Sequence, residues 1–159
     1  MNQTDGEPLP EFAAITGDPQ DYAERLKQFV AGQSIVLEYD SGIAAAKGMS
    51  SGGKITLQPD LPPAEHFAVL VHETAHELLH RDGRRSQTTH AIRETEAEAV
   101  AFVVSTAIGL DANTSCSDYI QLHSGDKATL LESLAFIQQT ASVILRAFDS
   151  RADVAAGRA

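Results

Sequence analysis

His72-Glu73-Thr74-Ala75-His76-Glu77-Leu78-Leu79-His80 carries the pattern HExxH twice, overlapping at His76. On a helix, residues four apart share a face about one turn from each other, so two imidazoles at that spacing can close on a single metal ion. A glutamate directly after the first histidine reaches the open position of that ion, where a water binds. Zinc held by three protein ligands lowers the pKa of its water to about 7 and polarises a carbonyl, while the glutamate moves the proton as general base. The bland alternative is a surface helix whose face happens to hold histidines and glutamates. It leaves unexplained the carboxylates that open the next helix.

Two registers are available, His72/Glu73/His76 and His76/Glu77/His80. The first is preferred because Phe67, Ala68, Val69, Leu70 and Val71 supply a buried, rigid lead-in just upstream of His72. The second would set the metal at a helix end about to break at Gly83. It would also read HExxHxxG, a pattern that requires a third histidine at position 86, where the chain has Ser86.

Downstream, a helix is expected over residues 91–109. Glu94 and Glu98 are four apart and share a face, and Val100, Phe102, Val103 and Val104 are apolar enough to bury the rest. Carboxylates leading a nearly buried helix are expensive unless neutralised, and a zinc ion with its histidines would do so. Glu94 is therefore expected as third ligand and Glu98 as the acceptor that orients a ligating imidazole. Glu96 points away on this reading and is the alternative ligand.

Upstream, residues 34–40, 43–49 and 54–58 read as three short strands, with Ser50-Ser51-Gly52-Gly53 as the turn between the last two. They predict a small antiparallel sheet packed on the histidine helix, an α+β domain whose strand nearest the metal could hold a peptide by edge pairing. Asp18-Pro19 predicts the start of an amphipathic helix through Tyr22, Leu26, Phe29 and Val30 to Gly32. Residues 111–125 read as a loop, from which Tyr119 or His123 could donate to the oxyanion of peptide hydrolysis. A last helix over residues 126–148 carries Leu130, Leu134, Ile137, Ala141, Ile144 and Phe148 as a core-facing seam. That seam could serve a dimer, but in so small a protein covering the zinc helices is the preferred use; the sequence leaves the oligomeric state open, a monomer included. The domain division is a flexible lead at 1–17, one domain at 18–149 and a frayed tail at 150–159.

At 159 residues, one domain is expected. Twelve Lys plus Arg against 22 Asp plus Glu argue against broad nucleic-acid binding. Arg81, Arg84, Arg85 and Arg93 form the only local basic patch and read as a solvated connector. A single cysteine, Cys116, allows no internal disulfide and fits a reducing compartment. The first eleven residues lack the basic start and apolar core of a signal peptide, and the apolar run over 99–110 is too short to span a bilayer. A cytoplasmic protein with no membrane segment is expected.

Residues of about 34 to 148 resemble the ImmA/IrrE-type zinc metallopeptidase domain and the related metallopeptidase portion of ArdC-type antirestriction proteins. The resemblance is carried by Leu70-Val71-His72-Glu73-Thr74-Ala75-His76-Glu77-Leu78-Leu79-His80 and by Glu94-Thr95-Glu96-Ala97-Glu98. In that family, as in gluzincins generally, the third ligand opens an ExxA motif followed by an acidic or amide residue, which Glu94, Ala97 and Glu98 match. The resemblance implies a zincin-like fold, His72, His76 and Glu94 on one zinc ion, Glu73 as general base and a protein or peptide substrate. The family often has Asn where this chain has Glu98, so the surroundings of the ligands are more negative here. The single-stranded-DNA-binding domain of ArdC-type proteins and the helix-turn-helix partner of other ImmA-like proteins have no counterpart in these residues. A non-catalytic regulator that keeps the fold and binds protein or DNA, of antirestriction or repressor-control type, is the alternative function. A purely structural zinc would need a fourth side chain such as His90 or Cys116.

Overall fold

The computed structural model describes residues 15–43, 47–80, 89–111 and 127–157. Its elements are α1 (Tyr22–Gly32), β1 (Val36–Tyr39), β2 (Gly48–Ser50), β3 (Lys54–Leu57), α2 (Pro63–Leu79), α3 (His90–Ala107) and α4 (Lys127–Gly157). The class is α+β, four helices with a small three-stranded mixed sheet.

The histidine helix α2 lies at the centre. Pro63 occupies its first turn, where the missing N–H has no intrahelical acceptor to lose. Twelve of its 17 residues are buried, so it is covered on nearly every side. Phe67, Leu70 and Val71 are fully buried. The Phe67 ring lies 6.3 Å from that of Phe148 on α4, which in turn meets Tyr22 of α1 at 5.2 Å. Sheet and α3 close over the rest of α2.

β1 and β3 form within their expected ranges and β2 lies later than its expected 43–49, taking in Ser50, but the sheet is not antiparallel throughout. Its order is β1-β3-β2, with β1 parallel to β3 and β2 antiparallel to it. Burial gives the reason. Ile55 and Leu57 of β3 are completely buried and Thr56 nearly so, whereas Val36 and Tyr39 of β1 and Met49 of β2 are exposed. The most apolar strand takes the middle, and the tight turn at Ser51–Gly53, with Gly52 and Gly53 both at positive φ, fixes β2 beside it. Gly48 in β2 is a close-approach site: a Cβ there would lie 2.8 Å from Val69 Cγ1 and 3.0 Å from Glu73 Cγ.

Three boundaries differ from the sequence expectation. Asp18-Pro19 makes a turn rather than a cap: Asp18 Oδ1 accepts from Gln20 N–H, Tyr22 N–H donates to the Pro19 carbonyl, and the helix begins at Tyr22. The lead is tied down before residue 18, because Ile15 is buried and Thr16 pairs with Asp111. Helix α4 continues to Gly157 instead of fraying at 149, in keeping with the high helix propensity of Ala152, Ala155 and Ala156. Of the α4 seam, Ile137, Ala141, Ile144 and Phe148 are buried as expected and are joined by Ser133 and Thr140, while Leu134, expected in the core, is 46% exposed. Among the described residues no helix is long and apolar enough to cross a membrane.

His66, on the first turn of α2, packs its ring on Tyr39 and shares a 2.9 Å hydrogen bond with the Tyr39 hydroxyl. Burial, reinforced by the Lys27 ammonium and only partly opposed by Glu24, lowers its pKa. The folded protein therefore binds fewer protons here than the unfolded chain. The stabilisation is fully present above the ordinary histidine value of about 6.5 and is lost as pH falls through the lowered folded value. His66→Gln is expected to flatten the pH dependence of the urea midpoint below about pH 6.5 and to leave its slope above that pH unchanged.

Candidate metal centre

His72 and His76 project from the same face of α2, one turn apart, with ring centroids 4.9 Å apart and planes nearly perpendicular. Helix α3 starts at Thr89, whose hydroxyl accepts from Ile92 N–H as an N-cap. Ala97 and Ala101, buried at three and seven residues after Glu94, share its stripe and let α3 approach α2 closely. Glu94 is thereby delivered between the imidazoles, with Oε1 3.3 Å from His72 Nε2 and Oε2 2.9 Å from His76 Nε2.

The ligand atoms of His72, His76 and Glu94 all lie within 4.8 Å of one another, the one such group of potential ligands among the described residues. Ligand atoms around a tetrahedral ion with bonds of about 2.0–2.2 Å sit about 3.4 Å apart. The side chains fit that requirement without rearrangement of the helices. Two imidazoles and a carboxylate suit zinc and other divalent ions alike. His72 is buried, whereas the Glu94 side chain is 39% exposed, so the group opens to solvent. Among the described residues no fourth side chain joins it, and His90 is exposed at the start of α3.

The electrostatics favour a cation. Burial alone would push the Glu94 carboxyl up, but its hydrogen bonds to His72 and His76 and their positive charge outweigh burial and hold it well below the usual carboxylate range. His72 is raised: burial opposes protonation, and the Glu94 hydrogen bond with the negative charges of Glu73, Glu94 and Glu98 overcomes it. Glu73 is raised first by burial and further by Glu94 and Glu77, against the pull of His72 and His76. The residue is 7% exposed, in keeping with that burial.

Glu77, the glutamate of the second register, is occupied elsewhere. Its carboxylate accepts from Gly53 N–H at 2.8 Å, from Gly52 N–H at 3.1 Å and from the Ser50 hydroxyl, pinning the β2–β3 turn to α2. Glu98 is placed near enough for its charge to act on His72. The Nδ1 of His76, however, meets His80 Nδ1 at 2.8 Å, so its partner lies on α2 itself. Tyr119, His123 and Cys116 lie outside the described residues.

Glu96, the alternative ligand of the sequence reading, is completely buried, with Oε1 2.9 Å from His80 Nε2 and Oε2 accepting from the Ser133 hydroxyl at 2.5 Å. The face of α3 opposite Glu94 is covered by α4, and what looks like a free side in one helix is a second interior surface. A signal was present in the chain: Glu96, Val100 and Val104 recur every four residues, so the apolar stripe runs through Glu96. His80, a ligand in the second register, is buried with it.

No family model, curated protein or solved structure matches the chain. The case for a metal centre is thus carried by the residues and their geometry.

Zinc titration followed by metal analysis is expected to give one equivalent per chain. Glu94→Ala should remove it, and Glu77→Gln should keep it while lowering stability by about 1–3 kcal/mol, the cost of mismatching buried hydrogen-bond donors. Equal zinc retention in Glu94→Ala would exclude this ligand set.

Proposed function

We propose that the protein is a zinc-dependent metallo-endopeptidase of zincin-like fold that hydrolyses a peptide bond in a specific cytoplasmic protein. The observation that carries the reading is the convergence of His72 Nε2 and His76 Nε2 on the Glu94 carboxylate, with the Glu73 carboxylate buried next to them. Such a donor set would hold zinc, which when bound makes hydroxide available near neutral pH and polarises a carbonyl.

The chain's own residues account for the rest. Glu73, whose proton affinity is raised by burial, takes the proton of the attacking water at its carboxylate and returns it to the leaving amine nitrogen. Strand β2 is an edge of the sheet and packs on α2, its Gly48 against the Glu73 side chain. An extended peptide added along that edge would run past Glu73, held by main-chain hydrogen bonds that tolerate varied side chains. The absence of a Cβ at Gly48 keeps strand and glutamate in contact. The resemblance of His72 to His80 and of Glu94 to Glu98 to the ImmA/IrrE-type domain supports the same class.

Glu73→Gln is expected to retain zinc while cleavage of a peptide library, read as new N-termini, falls by about 10²–10⁴-fold, the usual contribution of a positioned acid–base group. If the biological effect persists in Glu73→Gln, a regulator that binds protein or DNA replaces the enzyme. Gly48→Ala is expected to lower cleavage with zinc content unchanged, since its methyl displaces β2 from Val69 and Glu73.

A further inference from the structure

Behind the metal-binding face runs a second constellation that the proposed chemistry does not use. His80 follows His76 by one turn, their ring centroids 5.0 Å apart, and their Nδ1 atoms are 2.8 Å from each other. His80 Nε2 is 2.9 Å from Glu96 Oε1, and Glu96 Oε2 accepts from the Ser133 hydroxyl at 2.5 Å. The side chains of His80 and Glu96 are completely buried and Ser133 is 2% exposed. The C-cap of α2 and helices α3 and α4 each supply a member.

We propose that His80, Glu96 and Ser133 are positioning residues that fix the ring orientation and tautomer of His76 for metal binding. The inference rests on His76 being a ligand.

Hydrogen-bond polarity gives the chain one direction. An imidazole that offers its Nε2 lone pair to a cation carries its proton on Nδ1. His76 Nδ1–H must then donate, so His80 Nδ1 accepts and His80 carries its own proton on Nε2. That proton is donated to Glu96, which as a carboxylate accepts from both His80 and Ser133. Each contact is satisfied only in this sense. The other tautomer of either ring would set two acceptors, or two N–H groups, against each other at 2.8 Å, and a flipped His76 ring would bring its Cδ2–H there in place of Nδ1. The arrangement also places a carboxylate at the end of the chain, as is usual behind metal-bound histidines. A buried carboxylate has a large desolvation penalty, and a core staple of these helices would be met as well by apolar side chains of equal volume. The link to a ligand gives the charge a use.

The test compares the full-length wild type with His80→Leu, His80→Gln and Ser133→Ala. Zinc affinity is measured by competition with a chromophoric chelator, and ligand geometry by the visible spectrum of the cobalt(II)-substituted protein; far-UV circular dichroism verifies folding. His80→Leu is expected to weaken zinc by about 10–100-fold and to alter the cobalt spectrum. In His80→Gln an amide oxygen can accept from His76 and the amide N–H₂ can donate to Glu96, so affinity should return to within about threefold of wild type. Unchanged affinity in folded His80→Leu overturns the proposal, and so does a His80→Gln as weak as His80→Leu, which would assign the loss to packing. Should His80→Leu not fold, Ser133→Ala decides with the same readouts: a loss of about threefold, the size of one hydrogen bond, supports the chain, and wild-type affinity overturns it. Absence of stoichiometric zinc from the wild type itself removes the metal centre, and this role with it. Zinc present in wild type, lost in Glu94→Ala and indifferent to His80 removes only the positioning role.

Discussion

Burying ionisable side chains on the central helix is the constraint the rest of the structure answers. His72, Glu73, Glu77 and His80 are all less than 9% exposed, at 5%, 7%, 4% and 3%. A buried polar group left without a hydrogen bond costs about 1–3 kcal/mol, and a charge more, so each needs a partner brought from another element. The β2–β3 turn is brought to Glu77, Glu94 of α3 to His72 and His76, and Glu96 of α3 with Ser133 of α4 to His80. The apolar residues of α2 give the helix its burial, and its polar residues dictate how neighbours must be placed around it.

The same helical repeat that allows His72 and His76 to share a ligand also places His80 beside His76. Chemistry and support therefore come from one stretch of sequence. Their environments separate them: the face toward Glu94 opens to solvent, whereas the face toward Glu96 is closed by α4. Glu73 sits between helix and strand, with its proton affinity raised by burial, and the missing Cβ of Gly48 sets how near the strand can come. Small residues serve the site twice, at Gly48 for the sheet and at Ala97 and Ala101 for α3.

Much of this was legible in the chain. The i, i+4 histidines after an apolar run, Ser51-Gly52-Gly53 as a turn and Glu94 at the head of a second helix are local patterns with local causes. The antiparallel sheet was misread, and the burial of Glu96 against α4 was not foreseen, for a shared reason. Which strand is central and which helix face is covered depend on how elements far apart in sequence pack. Leu134 failed as a core residue in the same way: the spacing fits a seam, but α4 turns to put Ser133 at Glu96.

By itself the sequence determined the elements and the one-face placement of His72, His76 and His80, because helical periodicity and turn chemistry act over a few residues. It also favoured one of the two overlapping registers on grounds of burial. Only the tertiary structure decided that Glu77 holds a turn, that Glu94 rather than Glu96 lies between His72 and His76, and that β3 runs between β1 and β2. Those outcomes follow from where buried polar groups find partners, and a partner's position is a property of packed helices and strands rather than of any local stretch.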